Sequence, residues 1–275
     1  MSARDRNGGR AGTGSGALRL RDVAMSYDGR HARRAVIEGL NLELPAGRLT
    51  AILGPSGCGK STLIRLMAGF ERPTSGQITL DGRPVAGADR RRLVVFQETA
   101  LFPWMSVAAN AAYGPRARGV AAAVRRANVA ALLQRVGLQH FADRYPAQLS
   151  GGMQRRAELA RALANDPDVM ILDEPFRGLD AMSHALMASY YAALFEETRR
   201  TQCFVTSDVD EAIFLADRLV VMSTAPMRVR EVIEVDLPRP RRFADVFDLD
   251  RANEVKKRAL SILREEAMKS FLRRG

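Results

Sequence analysis

With 275 residues, 47% of them hydrophobic and 27% charged, the chain can bury a full core as one large domain or two modest ones. No apolar run approaches the length of a bilayer span, and the start MSARDRNGGR has no apolar signal core. The formal charge of +11 invites a nucleic-acid reading, but the arginines behind it are spread along the chain, cluster only at Arg90-Arg91-Arg92, and lack interleaved aromatics. We read the charge as a solvated surface that could also sit beside anionic lipid, and expect no nucleic-acid partner. Cys58 and Cys203 make no disulfide framework in a cytosolic chain, and His31, His140 and His184 suggest no zinc site.

In chain order, residues 1–16 are Gly, Ser, Arg and Asn without periodicity, and are expected to be a disordered tail. Alternation from Ala17 to Tyr27 predicts a strand, and a second covers Val36 to Leu44 before the turn Pro45-Ala46-Gly47. Leu49 to Leu53 reads as a buried strand and Leu63 to Ala68 as a helix. Between them lies Gly54-Pro55-Ser56-Gly57-Cys58-Gly59-Lys60-Ser61-Thr62, a phosphate-loop pattern in its proper strand–loop–helix setting. Its glycines let successive N–H groups turn toward an anion, and the helix adds its positive end. Lys60 supplies a point charge to the β- and γ-phosphates, and the Ser61 hydroxyl reaches Mg²⁺. Tyr27, at a strand end, is either a packing residue or, beside a nucleotide, a ring for stacking on adenine.

A loop over Glu71 to Gly76 precedes a strand at Gln77 to Leu80, a turn at Asp81-Gly82, and a buried strand from Arg92 to Phe96. From Gln97 to about Ala164 the texture turns alanine-rich and helical, notably Val120 to Val136. Breaks are expected at Gly114-Pro115, Gly137 and Tyr145-Pro146. This is a helical subdomain inserted into an α/β core, and its last helix opens after Ser150-Gly151-Gly152. The apolar strand from Val169 then delivers Asp173 and Glu174 at its C-terminal end, where open α/β sheets bind ligands. One acid can hold Mg²⁺ while the next polarises the attacking water.

At this point the chain resembles the ATP-binding subunit of an ABC transporter, from about Leu18 to Arg241. The segment LSGGMQRR (Leu149 to Arg156) matches that family's signature, and the order phosphate loop, Gln97, signature, acidic strand, Gly178-Leu179-Asp180 agrees. The resemblance implies a phosphate-loop ATPase core, a parallel sheet with flanking helices plus an antiparallel β part, carrying the helical insertion at about 98–165. By the same resemblance Tyr27 stacks on adenine, Gln97 senses Mg²⁺ and the transmembrane partner, Asp173 is the metal-side aspartate, and Glu174 is the catalytic carboxylate. Asp180 communicates across a dimer. The resemblance also implies that Ser150, Gly151 and Gly152 close over the γ-phosphate held by another copy, giving a head-to-tail homodimer with two composite ATP sites. A serine-capped helix N-terminus suits that anion.

One expected residue differs. Ser207 follows the strand Cys203-Phe204-Val205-Thr206 where the family carries a histidine to the γ-phosphate. Losing one such donor typically costs about 100- to 1000-fold in rate. Ser207 or a water bridges to the phosphate in a working ATPase, the reading we favour because Lys60, Gln97 and Glu174 are intact; the alternative is an ATP-binding switch with little turnover. A third reading, a non-transport ABC ATPase, lacks the second cassette or long heptad insertion it would show.

The loop Gln97 to Val107 is similar to importers of the nitrate, sulfonate and taurine type, which implies an integral-membrane permease, a periplasmic or extracellular solute-binding protein, and a peripheral place on the cytoplasmic face of the inner membrane. Trp104, the chain's single tryptophan, reads as a packing residue when taken alone. Arg177-Gly178-Leu179-Asp180 departs from the commoner small-residue version. After strands at Arg218 to Met222 and Arg228 to Val235, the proline–arginine segment Leu237 to Arg241 ends the ATPase part. Residues 242–275 form a helical tail with Val255, Ala259, Ile262, Leu263 and Phe271 on one stripe, folded back on the core.

Overall fold

A computed structural model describes residues 16–28 and 33–272; the expected N-terminal tail lies almost wholly outside them, as does His31. Strands β1 (Leu18–Asp28) and β2 (Arg33–Leu44) form a long antiparallel pair. Next come β3 (Leu49–Leu53), α1 (Lys60–Ala68), β4 (Ser75–Leu80), β5 (Arg83–Pro84) and β6 (Arg92–Val95). The helical part holds α2 (Val107–Ala117), α3 (Ala122–Arg135) and α4 (Gly151–Ala164). The chain then returns through β7 (Val169–Asp173), α5 (Ala181–Thr198), β8 (Thr201–Thr206), α6 (Val209–Leu215), β9 (Arg218–Met222), β10 (Val229–Glu234) and α7 (Asp250–Leu272).

Two sheets result. One is antiparallel, in the order β2-β1-β4-β5; the other runs β10-β9-β3-β8-β7-β6, parallel except where β10 returns along β9. This is the α/β core with an antiparallel part and a helical insertion that the sequence predicts.

The central strands are buried on both faces, so β3 and β7 run almost wholly apolar, while β8 buries Thr201, Gln202 and Thr206 among its apolar residues. Their side chains still divide by parity. Ala51, Leu53, Met170, Leu172 and Phe204 join a core with α5, α6 and α7. Ile52, Ile171, Val205 and Val220 face the other way, packing with Leu63, Leu66 and Met67 of α1 and with Leu18, Leu20 and Leu40 of the antiparallel sheet. Each fully buried side chain of this size contributes about 1.5–3 kcal/mol. The insertion has its own smaller core, including Val107, Ala111, Val129, Leu133, Leu149 and Ala160.

Three expectations change. Gly114 and Pro115 do not break a helix; they lie inside α2, near its end, where Pro115 forgoes one N–H bond and the helix stops two residues later. Gly114 is needed there because a Cβ would sit 1.8 Å from the Asn165 side-chain oxygen, where α4 ends. Trp104 is not a core packing residue: it is 70% exposed, with the Phe102 ring beside it at 5.6 Å. Phe271 is 81% exposed and off the buried stripe of α7, which is instead Ala252, Val255, Ala259, Ile262 and Glu266.

Helix α7 is tied down by more than apolar contact. Buried Glu266 accepts from the Thr224 N–H at 2.9 Å and pairs with Arg230 and Lys269. Leu237 is buried, and Arg239 and Arg241 donate to main-chain carbonyls at the C-terminal end of α6. Those carbonyls have no partner within the helix, so the two arginines satisfy them.

Candidate functional site

Strand β3 ends at Leu53, and the chain turns through Gly54 to Gly59 into α1. Gly57 and Gly59 have φ of 75° and 117°, a region that other residues rarely adopt. Gly54 lies against the core, where a Cβ would come within 2.9 Å of the Cys58 sulfur. Cys58 turns inward, and burial pushes its thiol up despite the nearby Lys60 ammonium. The Lys60 ammonium donates to the carbonyls of Gly54 and Pro55 at 2.8 and 3.2 Å, curling over its own loop.

Parallel pairing carries the acidic strand to the same edge. β8 lies between β3 and β7, so Leu53, Thr206 and Asp173 reach one end of the sheet together. A cleft of about 630 Å³ there is lined by Ser56, Gly57, Gly59, Lys60, Ser61, Thr62, Tyr27, Gln97, Asp173 and Glu174. Burial, and then the neighbouring Glu174 carboxylate, raise the Asp173 carboxyl above its ordinary range, with Lys60 opposing. Glu174 sits at φ 39°, a left-handed position that lifts it out of the strand line. The Tyr27 hydroxyl is held by Glu71 and by Thr62 Oγ1, the latter at 3.4 Å. Gly54, Pro55 and Cys58 form the loop without lining the cleft, and Ser207 stands exposed just past β8, also outside the lining.

Gln97 is exposed on the loop after β6, yet its backbone is fixed. Arg155, in α4, donates to the carbonyls of Phe96 at 2.8 Å and Gln97 at 2.6 Å, and to Glu158 at 2.5 Å. Glu158 in turn accepts from the Ala100 N–H at 2.6 Å. Burial raises the Glu158 carboxyl and lowers the Arg155 guanidinium, each countered by the other's charge.

Ser150, Gly151, Gly152 and Asp180 are brought together, but not in this cleft. They line a second concavity of about 670 Å³ between α4 and α5, with Met153, Leu179 and Tyr190. Ser150 caps α4 by accepting from the Met153 N–H at 3.3 Å. Asp180 caps α5 through Met182 and Ser183, and those hydrogen bonds hold its carboxyl below the usual range.

Residues 37–177 match the family described as ABC transporter. The chain belongs to the ABC transporter ATP-binding family. It is 38% identical over 254 residues to an uncharacterized ABC transporter ATP-binding protein of Methanocaldococcus jannaschii, covering 92% of this chain and 94% of that one. It is 45% identical over 217 residues to the taurine import ATP-binding protein TauB of Pseudomonas aeruginosa, covering 79% and 82%. Among solved structures it resembles a dimeric ATP-binding cassette in a post-hydrolysis state bound to ADP and Pi, at 26% identity and TM-score 0.69 over 80% of this chain and all of that one. The cbiO1 structure from Clostridium perfringens is similar at 26% identity and TM-score 0.72, over 93% and 99%. This ABC subunit therefore binds ATP and hydrolyses it to drive transmembrane transport. No helix among the described residues is long and apolar enough to cross a membrane.

Arg34, Val36, Arg177 and Ala225 also line the cleft, and the Arg155–Glu158 pair lies behind Gln97; none of these places is expected from the sequence. A charged pair three residues apart on the signature helix was the available signal for that pair. Burial of both partners, which sequence spacing does not reveal, is what makes it informative.

Proposed function

We infer that the cleft binds Mg-ATP and that the subunit powers import of a small solute of the sulfonate, taurine or nitrate class. The observation that carries this reading is the meeting of Lys60, Ser61, Gln97, Asp173 and Glu174 in one cleft. The likeness to TauB proteins supports the solute class.

In this reading the amides of Ser56 to Thr62 and the Lys60 ammonium bind the phosphates, and the Tyr27 ring stacks on adenine. Glu174 accepts a proton from the attacking water. The donor set fits Mg²⁺: Ser61, Gln97 and Asp173 line the cleft and each carries a side-chain oxygen, and Mg²⁺ typically takes one or two carboxylates plus substrate phosphates. Ser61, Asp173 and Gln97 would hold it, and it supplies charge neutralisation of the phosphate oxygens. Ser207 reaches the terminal phosphate directly or through water in a working ATPase.

Ser150, Gly151 and Gly152 serve the ATP of a second copy in a head-to-tail homodimer, with Asp180 reporting across it. Their position in a separate concavity supports this, since one copy alone presents them away from its own phosphate loop. The dimer docks on an integral-membrane permease fed by a solute-binding protein, as a peripheral subunit on the cytoplasmic face of the inner membrane. Residues 17–241, with the insertion at about 98–165, are the ATPase unit, and 242–275 the helical tail. Phosphate release by the full-length chain tests the reading: Lys60→Ala and Glu174→Gln are expected to abolish it, and wild-type release no faster than that of Glu174→Gln would defeat it.

A further inference from the structure

We propose that Arg177 is a catalytic cation of this site, held on Glu174 in the structure and transferred to the terminal phosphate when a nucleoside triphosphate binds. The inference rests on the ATPase reading above. The cations lining the cleft among the described residues are Lys60, Arg34 and Arg177. Lys60 belongs to the loop itself, donating to its carbonyls. Arg34 pairs in register with Tyr27 across β1 and β2, so its charge lies at the Tyr27 end. Of the three, Arg177 is the one hydrogen-bonded to Glu174.

A triphosphate brought against the carboxylates Asp173 and Glu174 meets strong like-charge repulsion. A cation beside them is the physical remedy, and the guanidinium of Arg177 is placed for it. Its Nη1 lies 3.0 Å from Glu174 Oε2, and the side chain is 62% exposed against 13% for Glu174. The backbone favours the pairing: Glu174 is left-handed, and the Arg177 N–H closes a turn onto the Glu174 carbonyl at 3.1 Å. With the Arg177 end of the pair in water, the attraction is screened. A phosphate offers the same fork more charge and bidentate geometry, so exchanging carboxylate for phosphate is favourable.

The exchange does two things at once. It sets a positive charge where negative charge develops on the transferring group, and it leaves Glu174 free to accept the proton of the attacking water. Ser207 is uncharged, exposed and outside the lining, so it does not duplicate this charge.

The test uses the full-length chain with Mg-ATP. Arg177→Ala is expected to lower turnover at saturating ATP by ~100-fold or more. In a Glu174→Gln background it is expected to weaken ATP binding while leaving ADP binding unchanged, because ADP lacks the phosphate concerned. Arg177→Lys should recover part of both. Turnover of Arg177→Ala at or above the wild-type rate would overturn the proposal, as would equal losses of ATP and ADP affinity. The two failures are separable: Glu174→Gln turning over like wild type sinks the ATPase reading, whereas an inactive Glu174→Gln beside an unimpaired Arg177→Ala sinks only the role of Arg177.

Discussion

Arg155 donates to the main-chain carbonyl of Gln97 at 2.6 Å from within the helix that Ser150 opens. The residue that lines the cleft beside Lys60 and the residue that caps α4 are thus connected through one buried guanidinium, 7% exposed, and its 3%-exposed partner Glu158. Breaking a buried pair by removing one partner typically costs about 3–5 kcal/mol, while replacing both with apolar groups is often neutral. Glu158→Leu is therefore expected to destabilise the chain by that amount in urea unfolding. Arg155→Met/Glu158→Leu should recover most of the loss but leave the loop 96–100 exchanging its amide hydrogens faster. A single variant as stable as wild type would contradict the buried pair.

The His184 ring, against Phe176 and Phe243, meets buried Glu211 at 3.1 Å, and Glu211 also takes the Thr206 hydroxyl. The hydrogen bond to Glu211 raises the His184 pKa above its ordinary value, against a lowering by burial, with Asp208 adding to the rise. A raised histidine contributes stability that is fully present below its unfolded pKa of about 6.5 and lost as pH climbs through the higher folded value. Stability should therefore fall with rising pH in the interval above about 6.5, and His184→Gln should remove that fall. Equal pH slopes for the two proteins in chemical unfolding would count against the pair.

Both cysteines are buried, and burial pushes their thiols up. A thiol reagent at pH 8 should label neither in the native chain and both after denaturation. Rapid native labelling of Cys58 would mean that the phosphate loop turns its sulfur outward.

Glu266 carries the link between the tail helix and the loop containing Ala225, which lines the cleft. Glu266→Ala removes the acceptor of the Thr224 N–H and the partner of Arg230. Leaving such groups unpaired costs about 1–3 kcal/mol, so the thermal midpoint should fall. An unchanged midpoint would mean that α7 is held without Glu266, by apolar contact and by pairs such as Lys256–Asp210.

What the sequence could disclose followed from how local each feature is. The loop from Gly54 to Thr62 was legible because strand, glycines and helix are contiguous, and β7 was legible because both its faces are buried. The α7 stripe was legible as far as Val255, Ala259 and Ile262, but spacing could not tell that Glu266 would be buried and Phe271 exposed. The burial of Glu266 depends on Thr224 and Arg230, more than thirty residues away. Gly114-Pro115 misled because α2 carries Pro115 within its last turn and ends two residues later, while the requirement for glycine comes from Asn165 in another element. Trp104 misled because its side chain, unlike that of Leu101 in the same loop, joins none of the apolar clusters. The pairing of Arg177 with Glu174 needed the left-handed turn at Glu174, which no letter of the sequence announces.

The account depends most on two separated half-sites, the phosphate loop in one cleft and the Ser150 helix in another concavity, meeting across two copies. Light scattering on full-length Glu174→Gln with Mg-ATP measures this directly. The account expects the mass to double with ATP and stay monomeric with ADP or after Ser150→Arg. A monomer at saturating ATP, alone and with its membrane partner, or a dimer indifferent to Ser150→Arg, would contradict it.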